Sequence, residues 1–207
     1  MRINIIIPNY NKAEYLEKCL LSCLNQDYEN YKVIFIDNES ADNSLYIAES
    51  IRSNGQDFVI DTAKNIYPRC WDECLDKAIQ HLDGDFYTIV GSDDYIDSDY
   101  LSNFESWAKG KDVKACQSTL NWYRDGEKFN TVQHTYDDIN DLKLKLIKGC
   151  CINSPTVFYK TELLKNKKFK RRPDLYSGAS DFDFLCQIVD NGTFIDTIPK
   201  SIGYNYV

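Results

Sequence analysis

Two adjacent carboxylates, Asp93 and Asp94, close the apolar run Phe86 to Val90 in the segment FYTIVGSDD. A short apolar run bounded by turn residues reads as a buried strand. Two carboxylates at one strand end repel each other and resist desolvation unless a cation joins them. Mg²⁺ or Mn²⁺ suits that role, because such ions take few protein carboxylates and complete their shells with substrate phosphates. A metal-bound diphosphate would account for the pair; the plainer alternative is an acidic turn capping a helix. A second polar pair, Asp37-Asn38, closes the run Val33 to Ile36, and Asp181 opens a helical pattern in SGASDFDFL. A carboxylate fits the positive end of a helix, so Asp181 is either a cap or a base delivered to a site. Neither of the two histidines falls in a recognisable motif, which leaves a carboxylate as the candidate base.

These residues need a scaffold, and the first half of the chain supplies the pattern of one. Ile3 to Ile7 is a continuous β-branched run, as in a strand buried on both faces. Pro8 cannot donate to a sheet ladder and is expected to end it. Asn11 with Glu14 makes a candidate capping box, and Leu16, Cys19, Leu20, Cys23 and Leu24 recur at helical spacing. Lys32 to Ile36 is the next strand. Ser44 to Ile51 is a helix with Leu45, Ala48 and Ile51 inward, and Phe58 to Ile60 a short strand. Trp71, Cys74, Leu75, Ala78, Ile79 and Leu82 form a periodic helix before the strand that carries Asp93 and Asp94. Alternation of this kind implies a mainly parallel sheet with right-handed crossovers, and polar strand ends in such a sheet are where nucleotides bind.

The second half reads differently. A helix follows Asp99. Ala115 to Tyr123 and Lys128 to Val132 are expected strands joined by an Asp125-Gly126 turn. Ile139 to Ile147 is helical, Thr156 to Tyr159 a strand, Phe182 to Val189 a helix and Phe194 to Ile198 a last strand. Trp71 and Trp122 could stack on sugars, although core packing is the usual fate of tryptophan.

The motifs resemble glycosyltransferase family 2. The matching residues are Ile5-Ile6-Ile7-Pro8-Asn9-Tyr10-Asn11, then Asp37-Asn38-Glu39-Ser40 with Asp42, then Asp93-Asp94 with Tyr95, Ile96, Asp99, Tyr100 and Leu101, and last Asp181 with Phe184 and Leu185. The resemblance covers most of the chain and implies a GT-A, Rossmann-like α/β fold. It implies one domain over residues 1–207, with a nucleotide-sugar half to about residue 97 and an acceptor half after it. Helices would cover both faces of the sheet, with a small antiparallel region on the acceptor side. It further implies an inverting transfer from a nucleotide-diphospho-sugar, chiefly a UDP-sugar, to a saccharide or lipid-linked acceptor in cell-surface polysaccharide or glycolipid synthesis.

Carried onto this chain, the resemblance makes Asp94 the direct ligand of Mn²⁺ or Mg²⁺. Asp93 would meet the metal through water or bind the donor ribose or sugar. Pro8, Tyr10 and Asn11 would line the base and ribose pocket, Asp37-Asn38 would hold the base, and Arg69 would face base or phosphate. Asp181 would be the catalytic base, with Asp183 in reserve. Three positions depart from the family pattern: Gly91 and Ser180 stand where acids are common, and Asn38 where a second acid is. The Asn38 carbonyl could accept from a base N–H, or its NH₂ could donate to a base carbonyl. Asn153 and Ser154 could bond hydroxyls or form a structural turn.

Composition bounds the rest. The chain has 207 residues, 43% hydrophobic and 27% charged, with formal net charge -8, which argues against a nucleic-acid partner. Eight cysteines without zinc-site spacing read as reduced, mostly buried residues of a cytoplasmic protein. No apolar run approaches a membrane span. The basic stretch Lys165 to Arg172, cationic at six positions, is either a solvated loop or a contact with anionic headgroups at the inner face of a membrane or with a phosphorylated acceptor. A homodimer could complete the acceptor site. Rival readings are a nucleotidyltransferase-like enzyme, disfavoured by the missing Gly-rich phosphate loop, and a non-catalytic nucleotide-sugar-binding domain.

Overall fold

Ile3, Ile5 and Ile7 face one side of the first strand and Ile6 the other, and all four are fully buried. Burying such side chains stabilises the fold by about 1.5–3 kcal/mol each, so both faces must be covered by other elements. The structure, a computed structural model of the chain, describes residues 1–166, 168–169, 171–199 and 202–207. In order come β1 (Ile3–Asn9), α1 (Ala13–Leu24), β2 (Tyr31–Asp37), α2 (Ser44–Ser53), β3 (Val59–Thr62), α3 (Cys70–Ile79) and β4 (Phe86–Ile89). The second half holds β5 (Tyr95–Ile96), α4 (Tyr100–Ala108), β6 (Ala115–Gln117), β7 (Leu120–Arg124), β8 (Glu127–Val132), α5 (Ile139–Lys148), β9 (Phe158–Lys160), α6 (Thr161–Lys165), α7 (Pro173–Tyr176), α8 (Ser180–Asp190), β10 (Ile195–Thr197) and β11 (Tyr204–Tyr206).

Among the described residues the larger sheet has the order β10-β6-β9-β4-β1-β2-β3. Strands β1 to β4 run parallel, while β9 lies antiparallel between β4 and β6. Helices α1, α2 and α4 pack with Ile3, Ile5 and Ile7 on one face. Helices α3, α5, α6 and α8 pack with Ile6, Ile34 and Ile36 on the other. A smaller sheet, order β5-β11-β7-β8, is antiparallel except where β11 runs along β7. The mainly parallel sheet, the helices on both faces and the smaller antiparallel region are as expected. No described helix is long and apolar enough to cross a membrane.

Several local expectations are corrected. β1 does not stop at Pro8 but runs to Asn9, with Pro8 opposite Ile36. Pairing with β4 ends at Ile6, whose carbonyl accepts from Val90, because Pro8 has no N–H to continue it. β2 runs on alongside Pro8 and Asn9 on the other side, where Asn38 N donates to the Asn9 carbonyl. The capping box is absent: Asn11 adopts φ 52 and accepts from the Ala41 N–H, while Asp42 accepts from Ala13 at the start of α1. Leu45 is exposed and Ser44 is the buried residue of that turn. The expected strand Ala115 to Tyr123 divides at Ser118-Thr119, so that β6 joins the larger sheet and β7 the smaller. Ser118 N–H donates to Thr156 Oγ1 at 3.0 Å and its carbonyl accepts from Asn153 Nδ2 at 3.1 Å, which satisfies the backbone where it leaves the ladder. Residues 154–156 form a helical turn, and the strand after it is β9.

Two glycines test how tightly this frame is built. Gly126, at φ 81 after Asp125 at φ 52, gives the β7–β8 hairpin its turn, and nothing would lie near a Cβ there. Gly203, at φ 78, precedes β11, and a Cβ would collide with the Asp97 carboxylate. Gly126→Ala is expected to cost about 1 kcal/mol and Gly203→Ala more than about 2 kcal/mol in urea unfolding. Equal costs would refute the steric account of Gly203.

Candidate active site

The ends of β1 and β2 are tied by side chains. Asn9 Nδ2 donates to Asp37 Oδ1 at 2.9 Å and to Ser40 Oγ at 3.1 Å, and Asp37 Oδ2 accepts from Ser40 N at 2.9 Å. Asp37 is 2% exposed and borders no opening described here. Asn11 also stands behind this wall, with its N–H on Ser40 Oγ. Pro8, Tyr10 and Asn38 do border a hollow of about 380 Å³, together with Lys12, Trp71 and Asp93. Asn38 Nδ2 donates to the carbonyls of Ala63 (3.3 Å) and Lys64 (2.9 Å). Both neighbours are acceptors, which fixes the amide orientation. The Asn38 NH₂ is thereby engaged by the protein's own backbone.

The hollow opens into a cleft of about 540 Å³, and Cys70, Trp71, Gly91 and Asp93 border both. Asp93 and Asp94 follow β4 into this cleft. Lys12 Nζ lies 2.7 Å from Asp93 Oδ2, and that bond raises the lysine pKa. Asp94 is 4% exposed; Oδ2 accepts from Tyr204 O–H at 2.9 Å and Oδ1 from Val207 N at 3.1 Å. Burial outweighs these bonds and pushes its pKa up to about 7. Gly91 has a steric reason: a Cβ there would stand 2.9 Å from Asp94 Oδ2 and 3.1 Å from Asp93 Oδ1.

Asp181 reaches the same cleft from the first turn of α8. Its Oδ2 accepts from Ser154 O–H at 2.7 Å and its Oδ1 from Phe182 N at 2.7 Å, so the carboxylate is held in one orientation. Ser154 thus positions the candidate base, whereas Asn153 is structural, donating to the Ser118 and Val132 carbonyls. Asp183 does not border the cleft; it accepts from Arg172 Nε at 2.8 Å and from Gln187. Ser180, at the position where acids are common, borders the cleft and lies 3.3 Å from Asp72 Oδ2.

Arg69 is not among these groups. It pairs with Glu73 (3.0 Å), Asp76 (3.7 Å) and Asp174 (3.5 Å) and borders a second hollow, which shares Asp72 and Arg171 with the cleft. Trp71 is 40% exposed and lines the cleft instead of packing in the core; Trp122 is half-buried against Tyr206. Within the basic stretch the described cations differ: Lys168 is exposed, and the others are engaged to different degrees. Lys165 donates to the Leu82 carbonyl, Arg172 pairs with Asp183, and Arg171 turns inward to border the cleft. Lys167 and Lys170 lie outside the described residues. Arg171 was not singled out from sequence; the available signal was Phe169 and Pro173 at two residues on either side, both inward-turned. All eight cysteines are free, and Cys19, Cys23, Cys74 and Cys116 are buried.

The arrangement joins an amide in one hollow, two adjacent carboxylates at the junction and a third carboxylate across the cleft. Among the described residues no three His, Cys, Asp or Glu side chains converge as a metal cage. Two carboxylates with substrate phosphates suit Mg²⁺ or Mn²⁺, so the donor set fits such an ion. Each carboxylate retains lone pairs beyond the hydrogen bonds it accepts.

Comparison with known proteins follows the same lines. Residues 4–180 match the model of glycosyl transferase family 2. A Methanococcus voltae protein, dolichyl N-acetyl-alpha-D-glucosaminyl phosphate 3-beta-D-2,3-diacetamido-2,3-dideoxy-beta-D-glucuronosyltransferase, is 32% identical over 108 residues, 49% of this chain and 32% of that protein. Staphylococcus aureus TarS 1-349, solved in complex with UDP-GlcNAc, superposes with TM-score 0.77 at 20% identity, over 100% of this chain and 58% of that one. A Pyrobaculum calidifontis mannosyltransferase solved with GDP-Man and Mn²⁺ gives TM-score 0.66 at 19% identity, over 99% and 56%. The chain spans about a third of the length of the first curated relatives it matches. The GT-A fold is shared with these structures, and by the match over most of its length the chain belongs to glycosyl transferase family 2.

Proposed function

We propose that the chain transfers a sugar from a UDP-linked donor to an acceptor hydroxyl with inversion, in the assembly of a cell-surface polysaccharide or glycolipid. The observation that carries this reading is that Asp93, Asp94 and Asp181, from different halves of the chain, border one cleft continuous with the Asn38 hollow. Residues to about 97 would serve the donor and those after it the acceptor.

The Asn38 carbonyl calls for a base with an N–H on its pairing edge. Uracil N3–H and guanine N1–H offer one on the ring; cytosine and adenine have a ring acceptor there and donate only from their exocyclic amino groups, set to one side. The UDP-GlcNAc and GDP-Man complexes of the structural neighbours fall within that class. We take uracil as the base, on the family resemblance. Asp94, with Asp93, would hold Mn²⁺ or Mg²⁺, which when bound stabilises the diphosphate leaving group. Lys12, already against Asp93, adds positive charge on that side. Asp181, oriented by Ser154, would take the acceptor proton. A carboxylate is far too weak a base to form an alkoxide beforehand, so the proton leaves as attack proceeds.

Three outcomes are expected. Asp181→Asn should lower transfer 10²- to 10⁴-fold, with UDP binding and melting temperature unchanged; activity within fivefold of wild type would remove Asp181 from the role. UDP should bind at least tenfold more tightly than CDP by calorimetry, and Asn38→Leu should abolish the difference. The third concerns Asp94. Its pKa is raised in the fold, so its contribution to stability is full below about pH 4 and is lost as the pH rises toward 7. Between pH 5 and 8 the metal-free wild type should therefore lose roughly 5 °C more in melting temperature than Asp94→Asn, and Mn²⁺ with UDP should restore it in the wild type alone. Parallel curves for the two proteins would remove the buried-charge account.

A further inference from the structure

Arg171 is a buried cation whose one ion pair among the described residues, to Asp72, is long and makes no hydrogen bond. Its side chain is 9% exposed, and Nε and Nη1 are both buried with no hydrogen-bond partner. The guanidinium lies over the Phe184 ring, 5.2 Å from its centre, and borders the cleft that holds Asp181 and Trp71. The nearest carboxylate oxygen, Asp72 Oδ1, is 3.9 Å from Nε, beyond hydrogen-bonding reach, and is itself without a partner. Other acids nearby are engaged elsewhere: Asp76 and Asp174 face Arg69, and Asp183 faces Arg172.

An arginine does not shed its proton to escape such a place. A buried guanidinium with two N–H groups unbonded and its carboxylate at 3.9 Å is only partly compensated, and a site for neutral sugars has no need of one. Guanidinium presents a planar fork matched to carboxylate and phosphate oxygens.

We infer that Arg171 receives an anionic substituent, a carboxylate or a phosphate, carried by the substrate into the cleft beside Asp181. The inference rests on the cleft being the sugar-transfer site. The anion has two possible sources, a uronic acid on the donor or a phosphate on the acceptor, and both present the same oxygens to the same fork.

The test compares wild type with Arg171→Met, which keeps much of the side-chain volume without the charge, and with Arg171→Lys. UDP-glucose and UDP-glucuronic acid are titrated calorimetrically, and glycerol 3-phosphate is titrated into UDP-saturated protein. The Arg171 Nε–H resonance, assigned by its loss in Arg171→Met, is followed by NMR as inorganic phosphate is added without nucleotide. We expect one charged probe to bind at least tenfold more tightly than its neutral counterpart, the advantage to vanish in Arg171→Met, and the melting temperature of that variant to hold or rise. A preference for UDP-glucuronic acid assigns the anion to the donor; Arg171-dependent binding of glycerol 3-phosphate assigns it to the acceptor. No Arg171-dependent preference, with a lower melting temperature in Arg171→Met, would overturn the inference and make Arg171 a structural partner of Asp72. Phosphate response at Arg171 without any UDP binding would sink the transferase reading and leave the anion site standing.

Discussion

A carboxylate removed from water is the constraint around which this protein is arranged. Asp94 is almost fully buried at the end of β4, and what surrounds it comes from far along the chain: the Tyr204 hydroxyl and the Val207 N–H from β11 and the residue after it. Position 91 can carry no side chain without crowding both Asp94 and Asp93. The smaller sheet is thereby more than a lateral addition. It brings β11 beside β5, immediately after the two carboxylates, and so completes their surroundings. Burial leaves Asp94 short of compensation, which is why its pKa is pushed up to about 7.

The other strand ends follow a different logic. Asp37 is held by Asn9 Nδ2 and Ser40 N, while the neighbouring Asn38 borders the hollow. The same loop therefore contains a buried, bonded acid and a cavity-lining amide in consecutive positions. Asp181 and Asp183 repeat the division on α8: one carboxylate is aimed into the cleft by Ser154, the other is neutralised by Arg172.

Features governed by local pattern were legible in the sequence. The β-branched run of β1, the helical stripe of α1 and the Asp125-Gly126 turn each follow from neighbouring residues, and so did the parallel sheet they imply. The acidic pair could be picked out because two adjacent carboxylates end a buried strand, and Asp181 because the family resemblance marks that position. What escaped was decided by distant partners. Asn11 looks like a cap beside Glu14 but is claimed by Ala41. Ser118-Thr119 reads as strand interior until Asn153 and Thr156 supply its bonds. Arg171 looks like one cation among six and is distinguished by the packing of its flanks. Arg69 sits at a plausible point in the chain, yet three acids draw it away from the cleft.

The bond between Asp94 and Tyr204 spans 110 positions in the chain. On the ribosome, at 5–20 residues per second, that separation is roughly 5 to 20 s of synthesis. Strands β1 to β4 can assemble as they emerge, but Asp94 stays hydrated until β11 arrives. Dehydration of the site therefore follows the strands that frame it, and a nascent chain holds this costly group in water until Tyr204 is there to receive it.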